Sequence, residues 1–141
     1  MSFFPSLLAL ALLLCSLPQI SIAADSSLKE QVAINNIPSV KVPLASKSLL
    51  LDITKVGPRK LAAVGEHGHI VLSTDAINWQ QADVPTQTTL TSVFFIDEML
   101  GWAVGHDAII LHTNDGGLTW QIQQYKPELE KPLLDVVFNN A

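Results

Sequence analysis

Between Leu49 and Gln124 the chain is written in short β-branched and apolar runs, each ended by Gly, Pro, Asp or Asn. Runs of this length and composition, punctuated this way, predict short strands joined by tight turns. The clearest set lies over Thr89–Ile96, Trp102–Val104, Ile109–Thr113 and Trp120–Gln124. The intervening turns are Asp97-Glu98-Met99-Leu100, Gly105-His106-Asp107-Ala108 and Asn114 to Thr119. An earlier set copies this one, with Val56-Gly57-Pro58-Arg59 as its first turn.

The copying is a repeat. Leu61-Ala62-Ala63-Val64-Gly65 aligns with Gly101-Trp102-Ala103-Val104-Gly105, and Ile70 to Asp75 aligns with Ile110 to Asp115. Leu50-Leu51-Asp52-Ile53 aligns with Leu90-Thr91-Ser92-Val93 and again with Leu133-Leu134-Asp135-Val136. Four short strands in a unit of roughly 40 residues is the period of a β-propeller blade. The fold class expected is all-β: antiparallel four-stranded blades, two of them complete, plus the first strand of a third. The units fall at 47–82 for blade 1, 88–125 for blade 2 and 132–141 for the opening of blade 3, after a linker or closure strand over 24–46. Polar, Pro-bearing linkers separate them, Asp83 to Gln87 and Lys126 to Pro132.

Residues 1–23 are different in kind. Phe3 to Leu17 is apolar apart from Pro5, Ser6, Cys15 and Ser16, Pro18 breaks it, and Ser21-Ile22-Ala23 offers small residues for cleavage. This reads as a secretory signal peptide cut after Ala23. The apolar run is shorter than the roughly 20 residues of a spanning helix. Export to the periplasm or beyond is expected, with no membrane insertion once the leader is removed. Cleavage also removes Cys15, the only cysteine, so the mature domain has no disulfide to rely on. A net charge of −5 with Arg59 as the sole arginine argues against nucleic acid as a partner.

The densest chemistry lies in GWAVGHDAIILHTNDGGLTW, residues 101–120. Within it, Thr113-Asn114-Asp115-Gly116-Gly117-Leu118-Thr119-Trp120 fits S/T-x-D-x-G-x-T-W, the Asp-box or BNR repeat. Its physics is that of a turn. The Asp115 carboxylate accepts backbone N–H bonds, Gly117 takes a positive φ cheaply, Thr113 and Thr119 bond locally, and Trp120 enters the blade core. The first copy, Ser73-Thr74-Asp75-Ala76-Ile77-Asn78-Trp79, is one residue short and lacks the glycine; Asn78 is the residue expected in the left-handed conformation. A motif that appears twice, with one copy worn, fits a structural element better than a catalytic one. Ser73, Asp75 and Trp79 are therefore read with Thr113, Asp115, Gly117, Thr119 and Trp120 as turn locks. His67 and His69 share alternate spacing, but no carboxylate or thiolate stands at a persuasive ligand spacing. No metal, cofactor or catalytic residue is expected.

The 101–120 stretch, with its earlier copy, resembles the repeat of the photosystem II assembly and stability factor family. The resemblance covers about Leu44 to Ala141. It implies a seven-bladed Asp-box propeller acting as a non-catalytic assembly factor that binds reaction-centre subunits, in the thylakoid lumen where the organism is photosynthetic. The arginine-rich patch of photosynthetic members has no counterpart here, where Arg59 stands alone. The length points to the N-terminal part of a longer propeller.

Two functional classes compete. A binding scaffold would hold a protein partner, such as a membrane protein or complex, on the loops carrying Glu66, His67, His106 and Asp107 and on segments 83–87 and 126–131. A sialidase-like glycoside hydrolase shares the fold and the Asp-box, but its site needs three arginines and a Tyr–Glu pair. One arginine and one tyrosine, Tyr125, do not build it. A truncated reading frame is the third reading.

Overall fold

The computed structural model describes residues 37–139. The leader at 1–23 and most of the 24–46 segment lie outside the described residues. The chain forms two four-stranded antiparallel sheets of identical topology, each in simple sequential order. The first holds β1 (Leu50–Val56), β2 (Lys60–Gly65), β3 (Ile70–Ser73) and β4 (Gln80–Gln81). The second holds β5 (Leu90–Phe95), β6 (Gly101–Gly105), β7 (Ile110–Thr113) and β8 (Gln121–Gln124). In the second sheet these are the expected strands to within a residue at each end; the first sheet copies it, with β4 reduced to two residues.

The repeat extends to register. Both inner strands slip against their partners at the same place, between Leu50 and Asp52 and between Leu90 and Ser92. Both partners carry a glycine there for lack of room. A Cβ on Gly65 would lie 2.0 Å from the Leu49 carbonyl oxygen, and one on Gly105 would lie 2.2 Å from that of Thr89. The recurring Ala-Val-Gly of the sequence is this close approach.

Pairing sorts each sheet into two faces. One row runs Ile53–Ala63–Val71 in the first sheet and Val93–Ala103–Leu111 in the second; the other runs Thr54–Ala62–Leu72 and Phe94–Trp102–His112. The core lies between the sheets. Ala62 and Leu72 of the first pack on Val93, Ala103 and Leu111 of the second, joined by Val56, Ile70, Phe95, Ile109 and Trp120. Each large side chain fully buried here contributes about 1.5–3 kcal/mol. Phe95 and Trp120 meet edge to face, 5.9 Å between centroids.

The opposite face of the first sheet holds a smaller cluster of Ala63 and Val71 under Ala45, with Leu50 and Trp79 against it. Ala45 sits in a single 3₁₀ turn, Ala45–Lys47. The segment before it runs along β4: Ser39 N–H donates to the Val84 carbonyl, and Val42 N–H donates to the Gln81 side chain.

Residues 131–139 contain no strand, where the sequence repeat predicts the first strand of a third unit. The Leu133–Val136 repeat nevertheless occupies its place on blade 2. Leu133 N–H donates to the Gly105 carbonyl, Ser92 Oγ lies 2.9 Å from Asp135, and Phe138 stacks on Trp102 at 4.5 Å. The physical reason for the missing strand is pairing. This stretch meets blade 2 mainly through side chains, and a ladder requires a neighbour alongside its backbone.

Candidate functional site

The second Asp-box turn is wired within itself. Thr113 Oγ1 donates to Asp115 at 2.8 Å and accepts from Gly117 N–H at 3.0 Å. Asp115 accepts Thr119 N–H at 3.0 Å and the Thr119 hydroxyl at 2.5 Å. Trp120 is buried, and its indole N–H donates to the Gly117 carbonyl at 2.9 Å. Gly116 and Gly117 both have positive φ, +74° and +90°, where glycine alone is at ease. For Asp115, partial burial raises the carboxyl pKa, but the bonds from Thr119, Thr113 and Leu118 outweigh it, and the group ends below its ordinary value.

The shortened first copy keeps the same wiring. Ser73 Oγ donates to Asp75 and accepts from Ala76 N–H, while Asp75 accepts the amides of Ile77 and Asn78 and the Asn78 side-chain amide. Those bonds, Asn78 first, hold Asp75 far below the usual carboxylate range. The left-handed residue is Ala76, at φ +59°, and not Asn78. The cause is simple. Asn78 is needed as a double donor to Asp75, so the turn's reversal falls on the residue directly after the aspartate. Trp79, unlike Trp120, is only half-buried, because its face of blade 1 is the open one.

Adjacent antiparallel strands put the Asp-boxes at one end of each blade and the β2–β3 and β6–β7 turns at the other. Those turns hold the four loop residues of the sequence reading. His67 and His106 are exposed, Glu66 and Asp107 half-buried. His67 and Asp107 are repeat-equivalent and both left-handed, at φ +56° and +55°. Glu66 accepts the Leu49 amide at 3.0 Å and lies 4.0 Å from the His67 ring. Tyr125 O–H donates to Asp107 at 3.4 Å, and burial, foremost, pushes its phenol pKa up. Linkers close over both turns: a Cβ on Gly68 would lie 2.0 Å from the Thr86 carbonyl oxygen, and Ala108 N–H donates to the Lys131 carbonyl. One end of the molecule thus gathers exposed imidazoles, two carboxylates and linker backbone on a rigid support, a surface suited to polar recognition.

Sequence reasoning passed over the residues that join repeat to repeat. Asp52 Oδ2 accepts both Ser92 Oγ, at 2.9 Å, and Val93 N–H, at 2.8 Å. Asp135 reaches Ser92 from the other side at 2.9 Å. The alignment of Asp52, Ser92 and Asp135 was the available signal. His69 was weighed only as a ligand beside His67; it is buried and bonded to Ser48. Among the described residues no three His, Cys, Asp or Glu side chains gather as a metal set.

Comparison with known proteins agrees with this geometry. Residues 71–141, half of the chain, match the family described as photosynthesis system II assembly factor YCF48. The photosystem II assembly protein Ycf48 of Synechococcus sp. (strain JA-2-3B'a(2-13)) is 43% identical over 56 residues, covering 38% of this chain and 16% of that protein. The chloroplastic photosystem II stability/assembly factor HCF136 of Cyanidioschyzon merolae is 33% identical over 65 residues, 45% of this chain and 15% of that one. The chain therefore spans about one sixth of the length of these relatives. A solved structure, YCF48 bound to D1 peptide, superposes with a TM-score of 0.53 at 26% identity, covering 61% of this chain and 30% of that chain. Since the match runs from β3 through the whole second blade and on to the repeat at Leu133, this chain belongs to the photosystem II assembly factor YCF48 family.

Proposed function

We propose that this chain is part of an exported, non-catalytic propeller scaffold that holds a protein partner on the loop end carrying Glu66, His67, His106 and Asp107. The solved relative, which carries a bound D1 peptide, is the observation that supports protein binding most directly. The chemistry of the turns supports it too. The Asp-box carboxylates are consumed by their own amides, whereas both loop imidazoles are exposed. Arg59 lies in the β1–β2 turn and Tyr125 follows β8, at opposite ends of the blades, so the two do not converge as a glycosidase site requires. The partner class proposed is an extended peptide of a photosynthetic membrane protein.

Titration of a fluorescent D1 peptide into the full chain tests this. Saturable binding is expected, weakened by His67→Ala with His106→Ala and unchanged by Asp115→Asn. Binding unaffected by the loop variants moves the site elsewhere; no binding at all removes the D1-type partner.

A further inference from the structure

Residues 38–42 lie along the outer edge of the first sheet, antiparallel to β4. Ser39 N–H donates to the Val84 carbonyl at 2.8 Å, and Val42 N–H donates to Gln81 Oε1 at 3.0 Å. Gln81 grips this segment with its side chain rather than its backbone. While Oε1 accepts the Val42 amide, Nε2 donates one hydrogen to the Val40 carbonyl at 2.9 Å and the other to Ser39 Oγ at 3.2 Å. The carboxamide thus offers an extended chain an acceptor and a donor, as a further peptide unit would. Gln87 Nε2 adds a bond to the Pro38 carbonyl at 3.1 Å.

Two side chains of the segment are read. Ser39 is 8% exposed, and its hydroxyl donates to the His67 carbonyl at 3.0 Å while accepting from Gln81. Lys41 Nζ donates to the Gln81 carbonyl at 2.7 Å and stands 2.9 Å from Asp83 Oδ1. The apolar side chains around them face solvent: Ile37, Val40 and Val42 are 57%, 58% and 38% exposed. The segment is therefore held as a bound peptide is held, by its backbone, one buried hydroxyl and one ammonium, and not by joining the core. Nor does the repeat demand this arrangement. With Trp79 aligned to Trp120, Ile122 stands in the place of Gln81 and Gln124 in the place of Asp83, so the second blade repeats neither group.

We propose that the β4 edge is an acceptor site for extended peptides bearing Ser-x-Lys, and that residues 38–42 are its resident occupant. A partner's segment of that chemistry adds to the sheet edge by replacing this chain's own. Gln81 reads its backbone, the His67 carbonyl its hydroxyl, and Asp83 its lysine. The Asp83 side chain is 73% exposed, so a lysine arriving from solvent reaches it. The tethered segment competes at high effective concentration and keeps the site filled until it is weakened or outcompeted. The site uses neither loop imidazole, so it stands apart from the D1-type partner proposed above.

A fluorescent synthetic peptide of residues 37–43, titrated into the full chain, tests this. A chain carrying Ser39→Ala with Lys41→Ala, whose own segment is weakened, should bind it saturably and at least about tenfold more tightly than the wild-type chain does. Adding Gln81→Ala to that chain should cost about tenfold in affinity. A peptide with Val40→Ala should bind as before. One with Lys41→Glu should not bind, and Asp83→Lys in the chain should restore it. Should the Gln81→Ala chain not fold, the charge exchange between Lys41 and Asp83 decides. No saturable binding to the weakened chain, or binding indifferent to that exchange, overturns the proposal.

Discussion

Asp52 and Val93 tie the two blades together: the carboxylate Oδ2 of one accepts the backbone N–H of the other at 2.8 Å across the inner strands. The same oxygen accepts the Ser92 hydroxyl. Val93 and Ser92 are buried, so these donors have no water to turn to. Asp52→Ala should destabilise the chain by about 1–3 kcal/mol. Asp52→Asn, which keeps one carbonyl oxygen, should recover part of that. Urea denaturation of both variants checks the ranking.

In the first Asp-box, Ala76 is left-handed and exposed. Removing its Cβ relieves strain and sacrifices no packing, against a greater entropy of the unfolded chain. Ala76→Gly should raise stability by about 0.5–1 kcal/mol, read as a higher urea midpoint at unchanged slope. A lower midpoint would mean the turn is not strained there.

Gly105 makes the opposite case. Its φ is −173°, open to any residue, and only space forbids a side chain. With the Thr89 carbonyl oxygen 2.2 Å from a built Cβ, Gly105→Ala must push the inner strand away. About 1–3 kcal/mol is expected from such overpacking, along with faster amide exchange at His106, whose N–H bonds that same carbonyl.

Acid should weaken the fold through its turns. Asp75, Asp97 and Asp115 all have carboxyl pKa values below the ordinary one. The unfolded chain thus binds protons first as pH falls. Their stabilisation is fully present above about pH 4 and is lost progressively below it. Melting temperature followed from pH 6 to pH 2.5 should drop most steeply under pH 4, and Asp75→Asn should shallow the drop.

The strands and the Asp-boxes were legible in the sequence because local chemistry specifies them. Apolar and β-branched runs define a strand wherever it packs, and Thr113 finds Asp115 without help from the rest of the chain. What escaped notice depends on distance or on competition. The left-handed residue shifted from Asn78 to Ala76 once Asn78 had two donor roles to fill. The Ser48–His69 tie spans 21 positions and the Asp52–Ser92 tie 40, and no local pattern announces either. The loop residues Glu66, His67, His106 and Asp107 were legible as turn tips, while the linkers that cover Gly68 and Ala108 were not.

The self-contained wiring of the two Asp-box carboxylates bears on how the protein tolerates change. Among the described residues, Asp75 and Asp115 each bond only within their own turn. Loss of either carboxylate should therefore act mainly on its own turn, while the turns themselves meet at a cleft lined by Ser73, Thr74, Asn78 and Trp79 of one box and Leu118 of the other. Such insulation lets one copy lose a residue and a glycine while the other keeps its full pattern. In genetic terms the two carboxylates are separate loci on a shared frame, and epistasis should concentrate where blades meet, among Asp52, Ser92 and Asp135.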